Sequence, residues 1–368
     1  MSKQVLVPIV VDEANLNPQS NNVRELLSRW QGDVVHFHTF AYGKPDPRVT
    51  AKACVTVNRL WRRHLWQLHV FISYIKQYDC IFYPGVYPAD FAGLRWRRLW
   101  GYQAPVIATL EGLLGDGARE SEYATWAGHP VYCQPVAPER LAAIDHTYLQ
   151  AEKIIAISPF LARMGARRFG EKFLVLPLGI NPHWYYPAPR QENLRVRVVA
   201  AGGVRSHKRP ELFLQLAERH SECDFIWYGE GDQKAHLQKV ALEKELCNLR
   251  FPGALPPAEL GAAFRQADIF VLPSCSEGVP KVTQEAAACG LAQVIFGYYE
   301  APSVVDGING LVAWSDEEWF EKTARLIADR QLTRQLGAAG ADLARQWDWQ
   351  RVAGQWQSAL TAVLRSSG

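Results

Sequence analysis

Two carboxylates eight positions apart, Glu277 and Glu285, stand in the stretch of this sequence best suited to chemistry. Residues 267–272, Ala-Asp-Ile-Phe-Val-Leu, read as a short buried strand that ends at Pro273-Ser274. A loop with Glu277, Gly278, Val279 and Pro280 follows, then a helix over 282–289 that stops at Gly290. The apolar run around Val294-Ile295-Phe296 is the next strand. A helix that opens just beyond a strand end aims backbone N–H groups and the positive end of its dipole at the crevice, which suits it to hold phosphate. Gly278 has no Cβ to keep a ligand away from the backbone. A carboxylate accepts hydroxyl donors well, so two of them around a phosphate site point to a ligand rich in hydroxyls. The same residues also fit a strand, loop and helix of an ordinary doubly wound domain with solvated carboxylates.

A second constellation lies upstream. Residues 196–201 read as a strand, followed by Gly202-Gly203-Val204-Arg205-Ser206-His207-Lys208-Arg209-Pro210 and a helix over 211–219. Glycines after a strand, with basic residues before a helix, make a cradle for a diphosphate with matching charge. Solvated basic residues on a loop are the plain alternative. The strand at 225–228 ends in Gly229-Glu230-Gly231, a turn that allows close approach, and Phe251-Pro252-Gly253 forms another turn after a helix.

Taken together, Glu277-Gly278-Val279-Pro280-Lys281, Glu285-Ala286, Cys289-Gly290 and Asp306-Gly307-Ile308-Asn309-Gly310 resemble the donor-binding motif of the retaining glycosyltransferases of family 4, which have the GT-B fold. The resemblance covers 150–345 well and the first 150 residues weakly. It implies that Glu277 holds the transferred sugar and Glu285 the ribose of a nucleotide-diphosphate-sugar. Gly278, Val279, Pro280, Lys281 and Val282 would then form the loop and helix start around the donor. Lys208 matches the family's diphosphate-gripping lysine. Gly203 falls where its arginine lies, which makes Arg205 the candidate substitute. Pro252 and Gly253 would line the nucleobase through their backbone, with Gly229 at the neighbouring turn. The activity implied is transfer of a sugar to a glycan or lipid-linked acceptor with retention, without a metal and with no cofactor beyond the donor substrate. A non-catalytic nucleotide-sugar-binding paralogue and a sugar-nucleotide epimerase of the same fold are the alternatives.

The N-terminal half departs from that family at two places. After a strand at 5–11, the family's glycine-rich loop is replaced by Asn15-Leu16-Asn17-Pro18-Gln19-Ser20-Asn21-Asn22, before a helix at 23–30. Asn and Ser can cap a helix, and they do not supply the close approach of glycine. After the strand at 104–110 stands Glu111, where the family has a histidine facing the donor sugar. Glu111 can accept a hydroxyl hydrogen bond, act as a base towards an acceptor, or be a surface carboxylate at a strand end. His36 and His38 share one face of the strand 33–38 because strands alternate. The resemblance puts His38 near the cleft; a structural histidine is the plain alternative.

These constellations need elements to position them, and the rest of the chain supplies two doubly wound blocks. At 368 residues, with 48% hydrophobic and 21% charged residues, there is material for two α/β cores. Strand–helix alternation and the proline-dense link around Pro182, Pro187 and Pro189 predict two Rossmann-like domains facing across a cleft. The expected division is an acceptor-binding domain at 1–185, a nucleotide-sugar-binding domain at 186–345 and a helical segment at 346–368 that packs back on the first domain. Helices are expected over 138–150, 317–336 and 340–364, and a long irregular loop over 115–138. A net charge of +3 excludes an argument for nucleic acid. The seven scattered cysteines form no Cys-x-x-Cys pair and read as reduced thiols of a cytoplasmic protein. The N-terminus reaches an acidic pair too soon for a signal peptide. No apolar run is long enough to span a bilayer. Arg59, Arg62, Arg63, Lys76, Arg95, Arg97 and Arg98 are interleaved with Trp61, Trp66, Trp96 and Trp100 in stretches 59–76 and 94–100. That mixture suits peripheral contact with the inner face of an anionic membrane; packed tryptophans beneath solvated arginines fit it too.

Overall fold

The computed structural model describes residues 2–15, 17–60, 78–86, 94, 104–115, 125–126, 128–189 and 193–366. Of the two arginine- and tryptophan-bearing stretches only Arg59, Leu60 and Leu94 fall among these; the remainder of 59–76 and 94–100 lies outside the described residues. Among the described residues no helix is long and apolar enough to cross a membrane.

The chain forms two compact units. The first comprises Met1–Arg119, Pro135–Gly179 and Trp349–Gly368, and the second Glu120–Gln134 and Ile180–Asp348. The first division therefore falls at 179/180, earlier than the expected 185/186. The proline-dense stretch belongs to the second unit because its backbone is tied there. Arg265 Nη1 donates to Trp184 O at 2.8 Å, and a Cβ on Gly261 would lie 2.1 Å from that same carbonyl. Gly179 lies under the Trp349 ring in the first unit, and Trp356 Nε1 donates to Pro177 O at 2.7 Å. The return to the first unit comes at Trp349, where the helix Trp349–Ser366 begins, three residues after the expected 346. The segment 120–134, expected as part of an irregular loop of the first domain, groups with the second unit.

In the first unit, the described residues form a seven-stranded sheet. Its order is Phe173–Val175, Lys153–Ala156, Val106–Leu110, Cys80–Tyr83, Lys3–Val10, Val35–Ala41, Val55–Arg59. Every pairing is parallel. Runs such as Cys80-Ile81-Phe82-Tyr83 and Val106-Ile107-Ala108 are buried throughout, as expected of strands covered on both faces. The chain starts in the middle with Lys3–Val10, builds out to Val55–Arg59, then crosses to Cys80–Tyr83 on the other side. That reversal makes a crevice beyond the carboxyl ends of Lys3–Val10 and Cys80–Tyr83. The helix Pro18–Arg29 starts five residues before the expected 23, because Asn17 caps it and Pro18 fits its first turn.

The second unit repeats the plan with Leu249–Arg250, Asp224–Tyr228, Arg197–Ala201, Ile269–Leu272, Ala292–Phe296 and Leu311–Ala313, again all parallel. Its reversal lies between Arg197–Ala201 and Ile269–Leu272. The helix expected at 317–336 is two helices, Asp316–Ala328 and Arg330–Ala344. Asp329 breaks the run, its side chain accepting from Leu332 N at 2.9 Å as the cap of the second helix. Gly340, expected at a helix start, is buried inside that second helix, with room for a Cβ only at van der Waals distance from Ala287.

Candidate functional site

The reversal in the second unit brings two loops side by side. Loop 202–209 leaves the strand Arg197–Ala201, and loop 273–280 leaves Ile269–Leu272. They are stitched at one carbonyl: His207 O accepts from Cys275 N at 3.0 Å and from Ser274 Oγ at 3.2 Å. That stitching places Lys208, on the turn Ser206–Lys208, against Glu277, and Lys208 Nζ forms an ion pair with Glu277 Oε1. Their side chains are 14% and 9% exposed, so the pair is largely shielded from water. Desolvation and the Lys208 charge push the neighbouring His207 imidazole below its ordinary pKa.

Beyond Glu277 the buried residues Gly278, Val279 and Pro280 lead into the helix Lys281–Ala288, whose N-terminus has no side-chain cap. Thr283 Oγ1 lies 2.5 Å from Ser303 Oγ, which fixes the first turn. Lys281 and Val282 are half-buried at the helix start. Glu285, one turn further, is half-buried as well. Burial pushes its carboxyl above the usual range, while the Lys281 charge and a hydrogen bond from the Tyr185 hydroxyl pull the other way. Tyr185 is buried, which drives its phenol well above the ordinary value. Nothing in its local sequence marked it as the partner of Glu285. Tyr299 is only 1% exposed; burial, then the Glu277 charge, pushes its phenol well above the ordinary value, while the Phe296 backbone pulls the other way.

The glycines divide by role. Gly202 takes a left-handed φ of 121° beside the Lys208 side chain. Gly253 is left-handed at 105°, and a Cβ there would meet Glu230 Oε1 at 2.5 Å; Pro252 beside it is exposed. Gly229 packs against the neighbouring loop, since a Cβ there would lie 1.9 Å from Gly202 O. The basic cluster divides too. Lys208 faces Glu277 and Arg205 is exposed, whereas Arg209 pairs with Asp316 and lies 5.1 Å over the Phe296 ring. Asp306 and Asn309 close their own turn: Asn309 Oδ1 accepts from Val305 N at 2.7 Å, its amide donates to Ser303 O, and Asp306 Oδ1 accepts from Val312 N.

Residues 128–134 add a strap to this unit that the sequence did not disclose. Ser276 Oγ donates to Tyr132 O at 2.9 Å, His129 stacks on Trp314 at 4.4 Å, and the Tyr132 ring meets Tyr298 edge-on at 5.3 Å. The residue before Glu277 is thereby anchored.

In the first unit, Glu111 sits at the carboxyl end of Val106–Leu110 and accepts from Gln19 Nε2 at 2.7 Å. The two departures noted in the sequence, the asparagine-rich loop and the glutamate, thus touch each other. His38 does not reach the crevice. Its strand continues to Ala41, and its Nε2 lies 2.8 Å from Gln4 Oε1, with the Tyr78 ring at 5.2 Å. Among the described residues no group of three or more His, Cys, Asp or Glu side chains is drawn together as a metal site would require.

Residues 44–184 match the family described as Glycosyltransferase Family 4, and 195–329 match Glycosyl transferases group 1. The alpha-galactosylglucosyldiacylglycerol synthase of Streptococcus pneumoniae is 26% identical over 303 residues, 77% of this chain and 75% of that one. The D-inositol 3-phosphate glycosyltransferase of Paenarthrobacter aurescens is 25% identical over 323 residues, 81% of this chain and 74% of that one. Sucrose-phosphate synthase from Thermosynechococcus elongatus superposes with a TM-score of 0.76 at 17% identity, covering 100% of both chains. HepE of Anabaena, solved with UDP and glucose, superposes with a TM-score of 0.72 at 14% identity, over 98% of this chain and 100% of that one. The shared fold is GT-B.

Proposed function

Because this chain belongs to the family 4 glycosyltransferases, we propose that it moves a sugar from a nucleoside-diphosphate-sugar to a glycan or lipid-linked acceptor, with retention of anomeric configuration and without a divalent metal. The observation that carries the reading is the Lys208–Glu277 pair, set at the reversal of the second unit's sheet beside an uncapped helix N-terminus. An arriving diphosphate competes with Glu277 for Lys208. As it takes the lysine, it frees a carboxylate whose oxygens accept hydroxyls of the sugar. The same lysine, with the helix N-terminus, then stabilises charge on the departing diphosphate as the glycosidic bond breaks. Glu285, held by Tyr185, accepts from ribose hydroxyls. Arg205, exposed on the same loop, reaches for the outer phosphate, and the backbone at Pro252 and Gly253 lines the base. A positive charge already present at the diphosphate supplies what a metal ion would otherwise supply.

The relatives are named for a glycosyl diacylglycerol in one case and for an inositol phosphate in the other, which supports a hydroxyl acceptor of small-molecule or lipid-linked type. The test is a transfer assay with UDP-, GDP- and ADP-sugars, with and without EDTA, read by NMR at the anomeric carbon of the product. Transfer with retention that survives EDTA is the expected result. Epimerised donor without any acceptor, or nucleotide binding without turnover in the presence of glycan and glycolipid acceptors, would sink the proposal.

A further inference from the structure

We propose that Ser276 is a positioning residue of the transfer reaction: through its bond to the strap at 128–134 it holds Glu277 in place once a diphosphate has drawn Lys208 away. The inference rests on the reading of Lys208 and Glu277 as the donor-binding pair, and adds to it the group that fixes Glu277 while the donor is bound.

The loop 273–280 runs between the strand Ile269–Leu272 and the helix Lys281–Ala288 without regular structure, so its course is set by individual bonds. It is tied on two sides. Towards loop 202–209, His207 O accepts from Cys275 N at 3.0 Å and from Ser274 Oγ at 3.2 Å. Towards the strap, Ser276 Oγ donates to Tyr132 O at 2.9 Å. Ser274 and Ser276 are 0% and 4% exposed, so water does not readily replace either partner. Glu277 comes next, and its carboxylate is held by the ion pair with Lys208.

These ties do not respond alike to a ligand. A diphosphate competes for Lys208 because it offers negative charge. The buried, neutral bond from Ser276 to Tyr132 O offers it no charge to take. The ion pair that orients Glu277 in the unliganded protein is thus the one that binding removes, just when the carboxylate has to face the sugar. The bonds at His207 O hold residues further from Glu277, and they lie on the loop that carries Lys208. Orientation then falls to the Ser276 bond.

The strap is a firm anchor for it. It begins as a hairpin, Thr125–Trp126 against His129–Pro130. The His129 ring stacks on Trp314 at 4.4 Å, and the Tyr132 ring meets Tyr298 edge-on at 5.3 Å. Tyr298 stacks on Phe296 at 5.1 Å and donates its hydroxyl to Trp314 O at 3.1 Å. Phe296 ends one strand of the second unit's sheet and Trp314 follows another, so Tyr132 O is placed by the sheet itself.

The experiment uses the full chain with Ser276→Ala, Ser276→Thr and His129→Ala. In Ser276→Ala, kcat falls about tenfold, because small misplacement at the reacting sugar is costly. Affinity for free UDP, GDP and ADP, read by calorimetry, stays within about twofold of the wild type. Ser276→Thr keeps the hydroxyl and returns kcat to within about threefold. His129→Ala lowers kcat in the wild type and adds nothing in Ser276→Ala, because both act through one bond. Hydrogen exchange over 273–280 gives a readout apart from turnover: in Lys208→Ala, where the ion pair is gone without any ligand, adding Ser276→Ala speeds exchange by roughly tenfold. An unchanged kcat in Ser276→Ala overturns the inference, as does a matching loss of nucleotide affinity. So does Ser276→Thr no faster than Ser276→Ala, an additive loss with His129→Ala, or unaltered exchange in the Lys208→Ala background. A wild type that transfers no sugar sinks the glycosyltransferase reading instead, while the exchange comparison still judges the strap.

Discussion

Replacing Glu277 by glutamine removes a negative charge from a pair whose members are only 14% and 9% exposed, and leaves the side-chain shape unchanged. Two opposite effects follow. A charged hydrogen bond to a ligand hydroxyl contributes about 1.5–3 kcal/mol, so losing it from the sugar slows transfer by roughly 10- to 150-fold. The free nucleoside diphosphate carries no sugar and does not feel that loss. It gains instead, because Lys208 is no longer neutralised by its neighbour before the phosphates arrive. A gain of about 1–2 kcal/mol corresponds to roughly 5- to 30-fold tighter binding. The stripped Lys208 also makes the unliganded variant less stable, so nucleotide raises its Tm by more than it raises that of the wild type. Calorimetry with the free nucleotide, thermal melts with and without it, and initial rates of transfer measure all three. If nucleotide affinity falls with the rate, Glu277 contacts the nucleotide and the division of labour between Glu277 and Glu285 is wrong.

Tyr185→Phe removes the hydrogen bond that opposes burial at Glu285. Binding needs the ionised carboxylate, whose pKa already lies above the usual range, so nucleotide affinity falls as pH drops through that raised value and is full above it; the variant's titration of affinity should move to higher pH, and an unmoved profile would remove Tyr185 from the site. Gly229→Ala places a Cβ 1.9 Å from Gly202 O, a backbone atom that cannot swing aside; overpacking of this kind costs about 1–3 kcal/mol, read as a Tm lowered by several degrees, and an unaltered Tm would mean the two loops separate readily. The arginine- and tryptophan-bearing stretches 59–76 and 94–100 are expected to carry the chain onto anionic vesicles and leave it in solution with neutral ones; equal, negligible co-sedimentation with both would leave those stretches as ordinary surface.

The elements were legible where the signal is local. Buried parallel strands such as Ile269–Leu272 are continuous apolar runs, and the loops that leave them are marked by Gly, Pro and charge within a few residues. Partnerships were not legible, because the parallel topology sets them over long separations. Gln19 meets Glu111 across 92 positions, Ser276 meets Tyr132 across 144, and Tyr185 reaches Glu285 from the proline-dense link. No periodicity in any one segment encodes such a meeting. His38 shows the converse error: the Asp-Val-Val-His-x-His pattern fixed the face of the strand and left open where the strand stops, and three further residues keep the histidine on the sheet, against Gln4. The motif that carried the family resemblance is itself divided in the same way. Asp306 and Asn309 direct their polar atoms into the turn that leads to Leu311–Ala313, so they specify fold. Lys208 and Glu277, by contrast, are tied to each other across two loops by an ion pair open to competition from a diphosphate. A hydrogen bond inside a turn is complete without a ligand, whereas an ion pair across two loops opens to a competing charge, so one motif divides between residues that close the fold and residues that a ligand would engage.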